Sequence, residues 1–308
     1  MISLVYAIGA VWTFAVGAVV GSFANVCIYR IPWQKSVIWP ASHCPNCLSA
    51  IAPRDNVPIL GWLFLGGRCR DCRKPIAVRY PLIEALVGLL FAGVFLVDVG
   101  HHDLGMLGMA SFGRWAFHAC FVALLVIATF IDYDLYIIPD AVTVTGMVLA
   151  LTFGTLAPWV RPEPATAPSP WDGFIVGLLG LVIGGGIIWA IRILGTLAFR
   201  REAMGFGDVT LMAMIGAFLG WQATPPVLFL GAIIGLVHAL LKAVLALQKW
   251  LMGRKLSGAD HEIPFGPYLS MAALILLLGW PWIWARGLRD YYQSLTVVFW
   301  FLLGRDGP

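Results

Sequence analysis

Charged side chains are scarce in this chain of 308 residues: they make up 12% of it, whereas hydrophobic residues make up 60%. Soluble domains are typically about 25% charged, because polar groups must cover their surface. The shortage therefore excludes a disordered chain, a secreted disulfide scaffold and an ordinary cytosolic enzyme. The net charge of +4 is small, so it does not indicate nucleic-acid binding.

Long apolar runs dominate the sequence instead. A membrane-spanning helix needs about 20 apolar residues, and helix is the default in lipid because the backbone must satisfy its own hydrogen bonds. The sequence therefore predicts an all-α polytopic membrane protein with about eight transmembrane helices. The predicted spans are 4–26, 81–97, 115–131, 141–158, 173–198, 209–222, 225–247 and 266–284. Another apolar run, 295–303, is too short to span.

The distribution of basic residues predicts the orientation of these spans. The first run has no Lys or Arg before Arg30 and no small-residue cleavage site, so we interpret it as a retained anchor. Loop 30–80 and the stretch 242–262 fall on one side of the predicted bundle and hold most of the Lys and Arg residues. The positive-inside rule makes that side cytosolic and places both termini outside.

Loop 30–80 contains two CxxC motifs. Two such motifs let two hairpin turns present four thiolates to one tetrahedral Zn²⁺ ion. A loop of this length buries little core, so a metal ion would supply the missing folding free energy. The predicted zinc ligands are Cys44, Cys47, Cys69 and Cys72. Redox pairs or free thiols are the alternative, and the basic face of the loop is expected to contact anionic lipid.

Two aspartates directly adjoin predicted spans, where an ionisable residue is a functional candidate. Asp132 follows the third span, and Asp208 opens the sixth on the same predicted side. The loop 132–140 adds Asp134 and Asp140 but no basic residue. Water-facing caps are the alternative interpretation, and it fits Asp140 best, because this residue follows a proline where a helix begins.

The two aspartates have the chemistry of an aspartyl hydrolase if they meet. At a separation of about 4 Å, their repulsion is about 4 kcal/mol at an effective dielectric constant of about 20, so the pair would hold one shared proton. One carboxylate would activate water while the protonated one polarises a carbonyl group. Gly205 and Gly207, which precede Asp208, let a backbone approach the cleft closely.

Several ordered blocks over roughly residues 17–270 carry a family resemblance. The chain resembles the prepilin peptidases, or type IV leader peptidases, which are GxGD-type intramembrane aspartic proteases of bacterial pilus and type II secretion systems. The blocks are 21–26 with 30–32, the four-cysteine loop, 79–84, 131–140, Gly205-Phe206-Gly207-Asp208, and 263–267. The last block has two interpretations, a plain helix start with proline in its first turn and a cleft wall beside the aspartates.

The resemblance implies a function and its residues. Asp132 and Asp208 would be the catalytic pair, with supporting cleft residues Gly205, Gly207, Asp134, Asp140 and Glu84. The substrates would be type IV prepilins and pseudopilins, cut after a glycine at the cytosolic face of the bacterial inner membrane. Many members also methylate the new amino terminus with S-adenosylmethionine, an activity that goes with the four-cysteine loop. For Glu84 an ion pair with Arg79 at the membrane surface is the alternative role.

The resemblance also divides the chain into three parts: a first transmembrane helix over 1–29, a cytosolic zinc-binding domain over 30–80, and a transmembrane aspartic protease domain over 81–308. A proton or cation relay using the same aspartates and a non-catalytic scaffold of a secretion or pilus assembly are the competing functions. Membrane lipid and prepilins are the expected partners, nucleic acid is not expected, and the oligomeric state and the role of residues 285–308 are not predicted.

Overall fold

The computed structural model describes residues 2–100, 109–162, 169–200, 204–252, 264–292 and 294. Within these residues the secondary structure is helical, apart from two isolated β-bridges between α1 and α3. The predicted all-α class is therefore confirmed. The helices are α1 Ile2–Arg30, α2 Leu60–Phe64, α3 Arg79–Gly100, α4 Met109–Leu135, α5 Asp140–Leu156, α6 Pro170–Phe199, α7 Phe206–Leu219, α8 Thr224–Leu251 and α9 Gly266–Ile283.

Six of these helices are long and apolar enough to cross a membrane: α1, α3, α4, α6, α8 and α9. The protein is thus a multi-pass membrane protein, but the predicted count of eight spans is not confirmed. Helices α5 and α7 coincide with two predicted spans and have only 17 and 14 residues. At 1.5 Å per residue, α7 covers about 21 Å of a hydrocarbon layer about 30 Å thick. The apolar run 295–303 lies outside the described residues.

Helix α7 occupies the interior of the bundle. Every residue from Asp208 to Leu219 except the half-buried Thr210 is buried, and α7 packs against α5, α6 and α9. The α6–α7 contact is very close: a Cβ atom on Gly180 would meet the carbonyl oxygen of Gly216, and the reverse also holds. Small residues permit such backbone contact between helices in lipid. Because α7 is enclosed by other helices, it need not span the full membrane thickness.

Arg161 lies in the segment between α5 and α6 and joins three helices. Its side chain is fully buried, and its guanidinium group donates hydrogen bonds of 2.8–3.1 Å to four backbone carbonyls. These carbonyls belong to α5, the first turn of α6 and the last turn of α7, at Ala150, Gly154, Gly173 and Ala217. The last carbonyls of a helix have no partner within it, so Arg161 satisfies the end of α7.

Replacing Arg161 by methionine is expected to lower the free energy of unfolding by about 3 kcal/mol or more, because buried carbonyl groups lose their donors. Thermal unfolding of the purified protein in detergent measures the effect. Arg289→Met is the matched control, since Arg289 is exposed beyond the end of α9. Equal unfolding temperatures for the two variants would contradict a structural role for Arg161.

Candidate active site and cysteine cluster

Asp132 lies in the last turn of α4 and is only 5% exposed. Its Oδ2 atom accepts a hydrogen bond of 3.0 Å from the backbone N–H of Gly266, the first residue of α9. The Pro264–Pro267 motif is therefore both a helix start, with Pro267 in the first turn, and a wall beside an aspartate. Because a helix N-terminus carries partial positive charge, this contact favours a carboxylate at Asp132.

Asp208 is the third residue of α7 and is 8% exposed. Its carboxyl group accepts a hydrogen bond from the backbone N–H of Gly205, and it lies within electrostatic reach of Asp132. The structure thus brings together the two aspartates that the sequence singled out, although 75 residues separate them. Their helices, α4 and α7, place both carboxyl groups at one end of the buried core.

Two glycines allow the segments around the aspartates to approach. A Cβ atom on Gly207 would lie 2.9 Å from Cβ of Ile138, and one on Gly266 would lie 2.9 Å from Cδ1 of the same isoleucine and 2.5 Å from Oδ2 of Asp132. Real Cβ atoms essentially never come this close to other heavy atoms. Ile138 therefore packs between the GxGD turn and the start of α9, a contact the sequence pattern did not reveal.

Replacing Gly266 by alanine is expected to reduce any reaction that depends on Asp132 about 100-fold, because a displacement of the carboxyl group by even 1 Å can cost that much. The measurement is the cleavage rate of a prepilin peptide, the class of substrate that the family resemblance implies. Gly186→Ala on α6 is the matched control, since a Cβ atom there meets nothing within 4 Å. If Gly266→Ala cleaves as fast as the control, the Asp132–Gly266 contact does not position the carboxyl group.

The other acidic residues of loop 132–140 occupy different environments. Asp134 forms a two-pronged ion pair with Arg79, at 2.9 and 2.5 Å, so this part of the predicted acidic loop is neutralised from α3. Asp140 is exposed and is the first residue of α5, one position after the cap, because Pro139 already has the extended backbone of a cap residue.

Tyr268 is a buried residue of α9 that the sequence interpretation missed. It lies within electrostatic reach of Asp132 and packs against His238, with 5.6 Å between the ring centroids. The sequence feature that could have identified Tyr268 is its position immediately after the Pro264–Pro267 motif, at the start of an apolar helix.

Glu84 is 8% exposed on α3. Its Oε2 atom accepts a hydrogen bond of 2.7 Å from the backbone N–H of Ile59 in the loop between α1 and α3. The suggested ion pair between Glu84 and Arg79 is not formed, because Arg79 pairs with Asp134. Glu84 instead joins α3 to the four-cysteine loop.

The four predicted metal ligands form one cluster in the segment between α1 and α3, residues 31–78, which we call the cysteine domain. All four Sγ atoms lie within 4.8 Å of one another. Across the two motifs, Cys44 and Cys72 are 3.8 Å apart and Cys47 and Cys69 are 3.9 Å apart. A tetrahedral zinc ion with Zn–S distances of about 2.3 Å separates its ligand sulfurs by about 3.8 Å. The cluster therefore has the dimensions of a metal site.

The two CxxC motifs form the same kind of backbone turn. The N–H groups of Leu48 and Arg73 donate to the carbonyls of Cys44 and Cys69, each closing a tight turn. Both residues have positive φ angles, 60° and 58°. The Ser49 hydroxyl helps to lower the pKa of the Cys47 thiol to about 6. A thiolate is the metal-binding form of cysteine, so this environment favours a ligand.

The chain is similar in sequence to known proteins over most of its length. Residues 15–97 match the family model described as the bacterial peptidase A24 N-terminal domain, and residues 119–240 match the type IV leader peptidase family. A prepilin leader peptidase/N-methyltransferase of Myxococcus xanthus is 33% identical, covering 89% of this chain and 91% of the relative. A protein of the same name from Aeromonas hydrophila is 32% identical, covering 91% of this chain and 92% of the relative. No solved structure matches the chain significantly.

The helical membrane fold, the paired aspartates and these matches define a membrane-embedded peptidase. The chain belongs to the type IV leader peptidase family, which processes the leader peptides of type IV prepilins. The resemblance drawn from the sequence is thereby confirmed. The relatives' names also support a bifunctional enzyme that combines a protease with a methyltransferase.

Proposed function

We propose that the chain cleaves the basic leader from type IV prepilins and pseudopilins, after a glycine and at the cytosolic face of the membrane. Asp132 and Asp208 are its catalytic pair. One observation carries this proposal: two buried carboxyl groups, from the end of α4 and the start of α7, lie within electrostatic reach of each other. The leader peptidase names of the relatives support the class of substrate.

Two interacting carboxyl groups that share a proton are suited to peptide hydrolysis. The Gly266 N–H group stabilises negative charge on Asp132, so we assign Asp132 the role of the base that takes a proton from the attacking water. Asp208 holds the shared proton, donates a hydrogen bond to the scissile carbonyl oxygen and then protonates the leaving amine. The products are a leader with a new carboxyl terminus and a pilin with a free amino terminus.

The surface around the aspartates suits a substrate that is basic before the cut and apolar after it. Asp140 is exposed, so it can attract Lys or Arg side chains of the leader, whereas Asp134 is already paired with Arg79. Tyr133 and Phe206 are 67% and 55% exposed beside the two catalytic candidates and offer apolar contacts to the pilin helix. Gly205 leaves room for the substrate backbone next to Asp208, whereas the space beside Gly207 is filled by Ile138.

The second proposed activity is N-methylation of the new amino terminus, for which S-adenosylmethionine supplies the methyl group. The transferase half of the relatives' names supports it. In the cysteine domain, Cys44, Cys47, Cys69 and Cys72 would hold a structural zinc ion, since their spacing fits a tetrahedral site. The ion would fix the fold of a segment too small to be stable through its own core.

The proposed location is the bacterial inner membrane, with the aspartates and the cysteine domain on the cytosolic side. Most Lys and Arg residues fall in that half of the predicted topology, which supports this orientation. The proposed domains follow one another along the chain: a first transmembrane helix over 1–29, a zinc-binding domain over 30–80 and a protease domain over 81–308.

The test uses the purified protein in detergent with a synthetic prepilin peptide that has a basic leader, a glycine, a phenylalanine and an apolar helix. S-adenosylmethionine is added, and intact mass reports the products. The expected result is loss of the leader followed by gain of one methyl group. A peptide that binds but stays intact would favour a non-catalytic scaffold.

A further inference from the structure

A cavity of about 570 Å³ lies between the cysteine domain, the C-terminal half of α1 and the first turns of α3. Neither Asp132 nor Asp208 lines it, so the proposed proteolysis leaves it without a role. We propose that this cavity binds the methyl donor S-adenosylmethionine, through its adenosine and its positively charged sulfonium group. The inference rests on the proposed methyltransferase activity and assigns that activity a site.

The size and the apolar walls of the cavity fit a ligand of this kind. Pockets for small molecules and cofactors usually measure about 300–1,000 Å³ and combine aromatic walls with a few fixed polar groups. Tyr29, Trp62 and Tyr80 line this cavity. The Trp62 ring is held by a hydrogen bond of 3.1 Å from its Nε1 atom to the carbonyl of Ile76. Such fixed aromatic faces are suited to an adenine ring.

Glu84 supplies the charge that points to a cation. It lines the cavity and is only 8% exposed. It has no basic partner among the ion pairs of the described residues. Its hydrogen bonds come from neutral groups, the Ile59 N–H and the Ser22 hydroxyl. A buried carboxylate is costly unless a cation accompanies it. A sulfonium ligand would provide that cation.

The carboxylate is also held in a defined position. Ile59 has a φ angle of 62°, which is rare for a β-branched residue, and this backbone directs its N–H toward Glu84 at 2.7 Å. Unfavourable backbone conformations of this type tend to occur at binding sites. The wall also carries the buried Arg30, whose guanidinium group donates to the carbonyl of Ser36. A ligand with both positive and negative groups therefore fits this cavity better than a purely anionic lipid headgroup.

The cavity and the aspartates lie next to the same end of α3. Tyr80 and Glu84 line the cavity, while the preceding Arg79 binds Asp134, two residues after Asp132. A pilin amine released at the aspartates would therefore be on the same side of the membrane. In the transfer, the amine lone pair bonds to the methyl carbon, the S–C bond breaks with its electron pair remaining on sulfur, and the nitrogen releases a proton to water.

The first experiment measures binding of S-adenosylhomocysteine to the purified full-length protein by calorimetry, without peptide. Val26→Trp fills the cavity from α1, where Val26 lines it, and is expected to weaken binding at least tenfold, since the ligand and the indole ring compete for one space (about 1.4 kcal/mol). Val19→Trp is the matched control, because Val19 lies two turns earlier on α1 and is 60% exposed. It should bind like the unmodified protein.

The second experiment tests the contribution of the Glu84 charge to binding. Glu84→Gln keeps an oxygen that accepts from Ile59 but removes the negative charge. We expect affinity for S-adenosylmethionine to fall about tenfold and affinity for the neutral thioether S-adenosylhomocysteine to fall less than about threefold, because only the former loses an ion pair. This variant also tests the site if Val26→Trp does not fold, which thermal unfolding would reveal.

Two outcomes overturn the inference and differ from each other. If the unmodified protein transfers a methyl group but both variants bind the donor as it does, the transferase function stands and the donor site lies elsewhere. If the unmodified protein neither binds S-adenosylmethionine nor methylates the peptide, the proposed transferase function fails and this inference fails with it. Cleavage of the same peptide then shows whether the protease function is retained.

Discussion

Replacing Asp208 by asparagine is expected to lower the rate of leader cleavage at least about 1,000-fold, because the amide can neither carry the shared proton nor protonate the leaving amine. Asp132→Asn should have an effect of similar size, since neither carboxyl group can catalyse hydrolysis without the other. Asparagine has nearly the shape of aspartate, so peptide binding should persist. The measurement combines the single-turnover cleavage rate with the affinity of the uncleaved peptide.

Asp172→Asn is the matched control for both substitutions. Asp172 lies in the first turn of α6, at the opposite end of that helix from the GxGD turn, where it contacts Ser169. We expect this variant to cleave at the unmodified rate. A scaffold protein would show the same peptide behaviour in all three variants, so equal rates in Asp208→Asn and Asp172→Asn would refute the proposed catalytic pair.

Replacing Cys47 by serine is expected to remove the bound metal and to lower methyl transfer at least about 100-fold, because zinc supplies roughly 10–16 kcal/mol to domains of this kind. Cleavage should change far less, since the aspartates are held by α4, α7 and α9 rather than by the cysteine domain. Elemental mass spectrometry gives the zinc content, and intact peptide mass separates the two activities.

Cys120→Ser provides the comparison for this experiment. Cys120 is a free thiol on α4, outside the four-sulfur cluster. This variant should keep one zinc ion per chain and both activities. If Cys47→Ser retains stoichiometric metal, or if zinc is absent from the unmodified protein, the cluster is not the predicted zinc site. Equal loss of cleavage and methylation would show instead that the cysteine domain supports the whole fold.

Hydropathy predicted most of the helices because lipid imposes a simple requirement on each of them. A long apolar run must form a helix to satisfy its own backbone, and this condition is local in sequence. Helix α7 departs from the rule. Its run of 14 residues is too short to span the membrane by itself, and it is accommodated because α5, α6 and α9 enclose it. Enclosure depends on the neighbouring helices, so hydropathy alone cannot reveal it.

Residue type and spacing were sufficient to select Asp132, Asp208 and the cysteines. An acid at the end of an apolar helix and a repeated CxxC motif are local features with few chemical uses. The contacts of Arg161 had no such signal. Arg161 is one basic residue in the segment between α5 and α6, and nothing in its neighbouring sequence indicates that it donates to carbonyls of three helices.

The sequence by itself thus determined that this protein is a helical membrane protein, and it singled out an aspartate pair and a four-thiol cluster. Tertiary structure alone decided that Gly266 of α9 binds Asp132, that Arg79 neutralises Asp134 and that Glu84 reaches the cysteine domain. The physical reason is the range of the interactions. Helix formation and metal-ligand spacing depend on residues close together in the chain, whereas these contacts join segments whose proximity depends on how all the helices pack.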